Sequence, residues 1–282
     1  MKSILKVTLL FLSIPLIFAC TEPKTIHTFE IQEIVLNAQN TYENPYKEVE
    51  CWVQLEGPDF NKRIYGFWDG GNTFRVRIAA TLAGDWTWTS GSNQDDKGLN
   101  EKSGSFHAIN WTEEELQENP NRRGYIRSTP NGHALQYADG TPFFFIGDTW
   151  WASSTWRYPL TGKTPDPNWE PGPEGLSFEN VVNYRKKQGY NMVAMISCYP
   201  NWAADGLSRE LVDENGIGIR QAWEHFETPT DETPTAKDMH DELGNRPFAM
   251  KNGGPMADFD QINPEYFKSL DKKLDYLNSV GF

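Results

Sequence analysis

The stretch Pro142-Phe143-Phe144-Phe145-Ile146-Gly147-Asp148 decides how the second half of the chain folds. Four apolar residues in it follow one another without a polar interruption, and the turn signal Asp139-Gly140 precedes them. Such a run is typical of a strand buried on both faces, as in a parallel sheet, although an antiparallel core strand shows the same pattern. The residues that follow decide between these two interpretations.

A helix and a second apolar strand come next along the chain. Ser177 is a favourable N-cap and Gly189 stands where a left-handed residue ends a helix, so residues 178–188 are predicted to be helical. The segment Tyr190–Ser197 is apolar and predicts another buried strand. The order strand, helix, strand favours a parallel β-α-β unit, and a small hairpin is predicted before it, within Tyr125–Tyr137.

A second helix is predicted to begin at Pro264, with Asn263 as its N-cap and Gly281 at its end. Its apolar residues at helical spacing form the stripe that we expect to be buried: Phe267, Leu270, Leu274 and Leu277.

A short repeat relates the ends of the two helices. Tyr184-Arg-Lys-Lys-Gln-Gly189-Tyr190 and Tyr276-Leu-Asn-Ser-Val-Gly281-Phe282 both step from tyrosine to glycine and then reach an aromatic residue. A strand begins directly after Gly189, so the pattern places a third parallel strand after Phe282. Because two parallel strands cannot bury both of their faces, we expect residues 125–282 to be the N-terminal part of a (β/α)₈ TIM barrel, truncated at Phe282 or completed by a partner chain.

The first half of the chain has a different pattern. From Ile26 to about Asn110 the hydrophobic period is two, as in Lys47–Leu55, and turn clusters such as Asp69-Gly70-Gly71-Asn72 recur at short intervals. Residues 26–110 therefore predict an antiparallel β-sandwich, joined to the barrel by a polar linker at 111–124. Its tryptophans alternate at strand spacing and are expected in the core or at a domain interface: Trp52, Trp68, Trp86 and Trp88.

Residues 1–19 predict a signal peptide. Lys2 and Lys6 precede the apolar run Val7–Ala19, which is shorter than the roughly 20 residues that cross a bilayer as a helix. Ile17-Phe18-Ala19-Cys20 has the pattern of a bacterial lipobox, in which cleavage before Cys20 is followed by lipid attachment to that residue. An ordinary signal peptide with an incidental cysteine is the alternative. Since no aspartate follows Cys20 directly, we expect an exported lipoprotein anchored in the outer membrane, at its periplasmic or cell-surface face.

The composition argues against several classes of protein. The chain has 26 Lys and Arg against 39 Asp and Glu, a net charge of −13, so a nucleic-acid partner is not expected. Cys51 and Cys198 lie within apolar strand patterns, and we expect them to be buried thiols rather than a disulfide. No Cys or His residues occur at a zinc-type spacing, so neither a metal nor a cofactor is expected.

Two parts of the chain resemble known families. Gly66-Phe67-Trp68-Asp69-Gly70 and Gly84-Asp85-Trp86-Thr87-Trp88 resemble an immunoglobulin-like domain of unknown function that precedes glycosidase-type barrels in bacterial polysaccharide-degrading proteins. Asp139–Trp151 resembles the first strand of the apiosidase-like barrel family. The resemblance implies a retaining-type glycoside hydrolase whose acid/base and nucleophile end strands four and seven, beyond Phe282. It also implies that Asp148 lines the sugar site.

The candidate substrate-binding residues follow the two predicted parallel strands, at the end where barrel enzymes bind their substrates. These residues are Asp148, Trp150, Trp151, Tyr199 and Trp202. Asp148 either accepts hydrogen bonds from sugar hydroxyls or caps the turn Gly147-Asp148-Thr149. The aromatic rings, with Trp156, either stack on a sugar or pack loops onto the barrel, and Trp151 and Trp202 are the preferred sugar contacts.

The predicted loop from Tyr199 to Gln261 is far longer than the usual two to about six residues between a strand and a helix. Its charged residues and histidines match no ligand motif and are expected to be solvated: Asp213, Glu214, Glu224, His225, His240 and Asp241.

The leading hypothesis is a surface lipoprotein whose complete form cleaves the glycosidic bonds of an oligo- or polysaccharide with two carboxylates that lie beyond Phe282. The alternative is a glycan-binding surface lipoprotein without catalysis. In a third interpretation the sandwich is only a spacer or adaptor, and substitution of Asp148 or Trp151 would leave glycan binding unchanged.

Overall fold

The computed structural model describes residues 24–150, 153–156, 158–162, 177–198, 211–212, 218–219, 240–250 and 257–282. The predicted signal peptide and lipidation site lie outside the described residues, and so do three of the predicted sugar contacts: Trp151, Tyr199 and Trp202. Also outside them lie four of the charged residues of the long loop: Asp213, Glu214, Glu224 and His225.

The first half of the described chain contains eight strands and two short α-helices. Its strands are β1 (Lys24–His27), β2 (Gln32–Asn37), β3 (Cys51–Gly57), β4 (Phe60–Tyr65), β5 (Phe67–Trp68), β6 (Thr73–Ile78), β7 (Gly84–Ser92) and β8 (Ser103–Ile109). Its helices are α1 (Pro45–Glu48) and α2 (Glu113–Glu118), followed by a 3₁₀ helix at Pro120–Arg123.

These strands form two sheets that enclose one hydrophobic core. One sheet has the order β1-β8-β7-β3-β4 and the other the order β2-β6-β5. The alternation predicted within Lys47–Leu55 is confirmed, since Cys51, Val53 and Leu55 of β3 are buried. Trp86 is also fully buried in this core. Burial raises the pKa of the Cys51 thiol to about 11, so Cys51 is an inert thiol at neutral pH.

One strand differs from the predicted antiparallel arrangement. β1 pairs in parallel with β8, with Lys24 opposite Phe106, whereas the other strand pairs of the two sheets are antiparallel. No tight turn joins β1 to β8, because the rest of the first half lies between them along the chain. Their relative direction is therefore not set by a hairpin.

A buried carboxylate fixes the loops beside these sheets. Asp96 accepts hydrogen bonds from the backbone N–H groups of Gln39, Asn40 and Gly98 and from the Tyr42 hydroxyl, at 2.7–3.1 Å. Burial raises the pKa of Asp96, but the backbone N–H donors outweigh that effect and hold it below its usual value. Asp96 thus joins the loop after β2 to the loop after β7.

The predicted linker is structured and contacts residues near Phe282. In α2, Thr112 and Glu115 form a capping box. Beyond α2, the side-chain amide of Asn119 donates to the backbone carbonyl of Asn278 at 2.7 Å, and that of Asn121 donates to Phe282 at 3.2 Å. The linker therefore binds residues at the end of the last described helix directly.

The second half contains the remaining elements. Its strands are β9 (Ile126–Ser128), β10 (Leu135–Tyr137), β11 (Pro142–Phe143), β12 (Gly147–Trp150), β13 (Met192–Met195), β14 (Leu211–Val212), β15 (Gly218–Ile219), β16 (Phe248–Met250) and β17 (Ala257–Ile262). Its helices are α3 (Phe178–Lys187) and α4 (Pro264–Val280).

The predicted parallel β-α-β unit is confirmed. β12 and β13 pair in parallel, with Asp148 opposite Val193, and α3 connects them. Ser177 caps α3, and Gly189 after it has the left-handed φ of 86° that the sequence predicted. Within the described residues the parallel sheet has two strands and no closed barrel is seen. None of the described helices is long and apolar enough to span a membrane.

The apolar stretch before β12 is not the single buried strand that the sequence predicted. Phe143 belongs to β11, which pairs with β10 in an antiparallel hairpin, and Phe144 is 78% exposed. Between β11 and β12 the side chain of Asn191 makes the hydrogen bonds that a neighbouring strand would make. It donates to the Phe144 carbonyl and accepts from the Ile146 N–H. A residue 45 positions away thus interrupts the strand.

The buried stripe of α4 also differs from the prediction. Asn263 caps the helix as expected, but Leu274 is exposed. The buried face consists instead of Tyr266, Ser269, Leu270, Lys273 and Leu277. Leu277 packs with Trp150, Phe178, Val182 and Phe282 in a second hydrophobic core. Lys273 is the residue that apolar periodicity missed, although its spacing from Leu270 and Leu277 places it on their face.

Candidate functional site

Trp150 ends β12 inside the second core. Its ring meets Phe178 edge-on with the ring centroids 6.0 Å apart, and it lies against Phe282 at 5.8 Å. Because Trp150 is buried, its ring fills the packing role that the sequence left open, and it is not placed as a sugar contact.

Asp148 faces α3 rather than the end of the strand. It is the second residue of β12, and its Oδ2 forms an ion pair with Arg185 of α3 at 2.8 Å. Arg185 also lies over the Tyr190 ring, 4.9 Å from its centroid. The expected position at the carboxyl end of the strand is therefore wrong, and so is the turn at Gly147-Asp148-Thr149, because the strand continues to Trp150. Oδ1 of Asp148 is buried and has no hydrogen-bond partner among the described residues.

A buried lysine holds the segment that follows β12. Nζ of Lys273, a residue only 1% exposed, donates to the backbone carbonyls of Ser153 at 3.0 Å and Thr155 at 3.4 Å. Glu242 lies 3.9 Å from the same nitrogen and accepts a hydrogen bond from the Leu160 N–H at 2.6 Å. Burial lowers the pKa of Lys273 to about 8, against the smaller effect of the Glu242 carboxylate. Lys273 and Glu242 together fix the backbone at Ser153, Thr155 and Leu160.

A buried tyrosine does the same for the residues after β13. The Tyr266 hydroxyl donates to the backbone carbonyl of Ser197 at 3.1 Å, and burial raises the pKa of Tyr266 well above its usual value. Cys198, a free and half-buried thiol, follows, and burial raises its pKa too. Helix α4 therefore supports the chain beyond both parallel strands.

The end of the long loop is not solvated as predicted. Asp241 is buried and accepts hydrogen bonds from the backbone N–H groups of Leu243 and Asn245, at 2.9 and 2.8 Å. The His240 ring stacks on Trp156 with the ring centroids 5.9 Å apart, so this part of the loop packs on the segment after β12. Among the described residues no group of three His, Cys, Asp or Glu side chains could hold a metal ion.

The described residues thus support the segments next to the predicted sugar contacts, but they do not form a complete site. The segments after β12 and β13 both lead directly into the predicted sugar contacts, Trp151 after Trp150 and Tyr199 after Cys198. Lys273 binds the chain at Ser153, two residues after Trp151, and Tyr266 binds it at Ser197, two residues before Tyr199. Supports of this kind restrict the positions of binding residues, which lowers the entropic cost of binding.

Each half of the chain matches a known protein family. Residues 25–93 match a family described as a domain of unknown function, DUF5060. A crystal structure of a protein from Bacteroides vulgatus, described as a candidate glycoside hydrolase, shares 19% sequence identity and a TM-score of 0.54. That match covers 92% of this chain and 40% of the Bacteroides chain, so this chain spans less than half the length of its structural neighbour. No curated protein matches the chain.

The second half matches the family described as the apiosidase-like catalytic domain. The match runs over residues 129–282, more than half of the chain, and includes the parallel unit with the segments that α4 supports. The chain belongs to the apiosidase-like catalytic-domain family.

Proposed function

We propose that the protein hydrolyses the glycosidic bonds of an oligo- or polysaccharide. The match of residues 129–282 to the apiosidase-like catalytic domain carries this proposal. The Bacteroides neighbour, described as a candidate glycoside hydrolase, supports it at the level of the fold. In the same proposal the parallel unit is the first part of a (β/α)₈ barrel, and the two N-terminal sheets are an immunoglobulin-like sandwich.

The proposed reaction needs two carboxylates on either side of the scissile bond. Their separation is about 5 Å in retaining enzymes and about 6.5–9.5 Å in inverting ones. In this proposal the pair lies on later strands, outside residues 1–282. This chain would supply the sugar-binding wall, with Trp151, Tyr199 and Trp202 as aromatic faces and α4 as its support.

The test is the release of reducing ends by the complete gene product from apiosides, which the family description makes the first substrates to try, and from neutral polysaccharides. We expect hydrolysis, and we expect Trp151→Ala to lower kcat/KM about tenfold or more through lost stacking. Trp88→Ala is the matched control, since Trp88 lies on β7 in the first half, and it should leave kcat/KM unchanged. Binding without hydrolysis would replace this proposal by the glycan-binding alternative.

We also propose that the protein is an outer-membrane lipoprotein anchored at Cys20. The lipobox-like pattern Ile17–Cys20 supports this proposal. Cys20→Ser should abolish incorporation of labelled fatty acid and move the protein from the membrane fraction to the soluble fraction or leave it unprocessed. Cys198→Ser, which changes a thiol in the second half, should alter neither result. Labelling that persists in C20S would contradict the anchor.

A further inference from the structure

A groove of about 540 Å³ lies between the first half of the protein and helix α4. Aromatic residues make up five of its fifteen described lining residues, against 13% of the whole chain: Tyr46, Tyr65, Phe67, Trp68 and Phe267. The volume falls within the range of small-molecule sites, and an aromatic lining with a few polar groups is typical of them. We call this cavity the α4 groove.

Contacts hold the rings of the α4 groove in place. Tyr65 packs edge-on against Trp52, with the ring centroids 6.2 Å apart. Trp68 donates its ring N–H to the Gly71 carbonyl at 2.9 Å. Arg77 covers one face of Phe67 at 4.8 Å from its centroid. Such rings lose little freedom when a ligand packs on them, which favours binding.

Three of the rings are nevertheless exposed to solvent, of which Phe67 is the least exposed at 38%. Tyr65 is 59% exposed and Tyr46 is 43% exposed, although both line the α4 groove. An exposed ring with a hydroxyl at its tip offers an apolar face and a hydrogen-bonding group to one ligand. A sugar ring has the matching surfaces, with C–H groups on its face and hydroxyls at its edge.

The charges of the α4 groove disfavour an anionic ligand. Its two cations are already neutralised: Arg77 forms an ion pair with Asp271 of α4, and Lys268 forms one with Glu265 at 2.8 Å. Asp69 is likewise paired, with Arg75 at 2.6 Å. An anionic ligand would have to displace these pairs and approach a chain of net charge −13.

The α4 groove lies beside the supported segments of the candidate site. Tyr266 and Phe267 are neighbours on α4, but Tyr266 bonds to Ser197 after β13 while Phe267 lines the groove. The two places are therefore separated by the first turns of one helix, whose diameter is about 10 Å. A polymer held in the groove would be concentrated near the other site.

We propose that the α4 groove is a second saccharide site that binds a neutral oligosaccharide segment of a polymer, with Tyr65 and Tyr46 as its stacking faces. The proposed function supplies the ligand class on which this inference rests. Binding in the α4 groove would bring the polymer close to the other site and would not itself cleave any bond.

The test is affinity electrophoresis of the full-length protein, purified in detergent, through native gels that contain arabinogalactan, xylan or β-glucan. At least one polymer should retard the wild type. Tyr65→Ala combined with Tyr46→Ala should weaken that binding about tenfold or more, whereas Tyr65→Phe should keep it because the ring face remains. Tyr184→Ala removes an equally exposed tyrosine on α3, 60% exposed, and should have no effect.

Three results would overturn the groove proposal: no retardation by any of the three polymers, unchanged binding in the double variant, or an equal loss in Y184A. Binding that collapses between about 0.05 and 0.5 M NaCl would contradict a neutral ligand. Hydrolysis rates separate this proposal from the proposed function. The double variant should be slower on the polymer and unchanged on a short aryl glycoside, while inactivity of the wild type on both would count against the proposed function alone.

Discussion

Replacing Asp96 with alanine is expected to lower the free energy of unfolding by about 4 kcal/mol. The substitution removes one acceptor from three backbone N–H groups and the Tyr42 hydroxyl. Asp96 is buried, so the N–H groups that it leaves would lack a water partner in the folded protein. Urea unfolding of the wild type and D96A measures the difference.

The neighbouring residue supplies the control for Asp96. Asp95 is exposed, and Asp95→Ala should change the free energy of unfolding by less than about 0.5 kcal/mol. The pKa of Asp96 is lower in the folded protein than in the unfolded chain, so its charge stabilises the fold above the unfolded pKa of about 4. That stabilisation is lost as the pH falls through the folded pKa. A difference between wild type and D96N that does not shrink in acid would contradict this account.

Lys273 should make stability rise with pH in the alkaline range. Its pKa is about 8 in the folded protein against 10.5 for an unperturbed lysine. Between these values the unfolded chain keeps a proton that the folded protein has released, so raising the pH favours folding. Relative to Lys273→Met, the free energy of unfolding of the wild type should rise by up to about 3 kcal/mol between pH 7 and 10.5.

Methionine is the chosen replacement because it has a similar length and no charge. Other titrating groups cancel in the difference between the two proteins, and Lys272→Met controls for the loss of an exposed lysine on the same helix. At neutral pH the variant also lacks the donor to the Ser153 and Thr155 carbonyls, which adds a constant offset. A difference that is flat from pH 7 to 10.5 would show that Lys273 is not desolvated.

The sequence predicted the features that depend on neighbours along the chain. The caps at Ser177 and Asn263, the left-handed Gly189 and the end of the second helix at Gly281 were all correct, because each requires only a few adjacent residues. The parallel pairing of β12 with β13 followed from the order of the elements.

Features that depend on distant residues were missed. The break at Phe144 depends on Asn191, and the burial of Lys273 depends on carbonyls at residues 153 and 155. Asp148 was misplaced because an apolar run does not show where a strand begins or ends, and β12 runs from Gly147 to Trp150. Apolar periodicity does not identify Lys273 as buried, although its spacing from Leu270 and Leu277 places it on the buried face.

The contacts of Asn119 and Asn121 have a consequence for the evolution and engineering of this protein. Connectors between domains normally tolerate insertions and deletions, since their length affects stability only weakly. Here two connector amides complete the carboxyl-terminal end of a helix more than 150 residues later in the chain. These contacts fix the spacing between the N-terminal sheets and the start of the second half. Grafting the first half onto another domain therefore requires a receiving helix whose end presents carbonyls at the same positions.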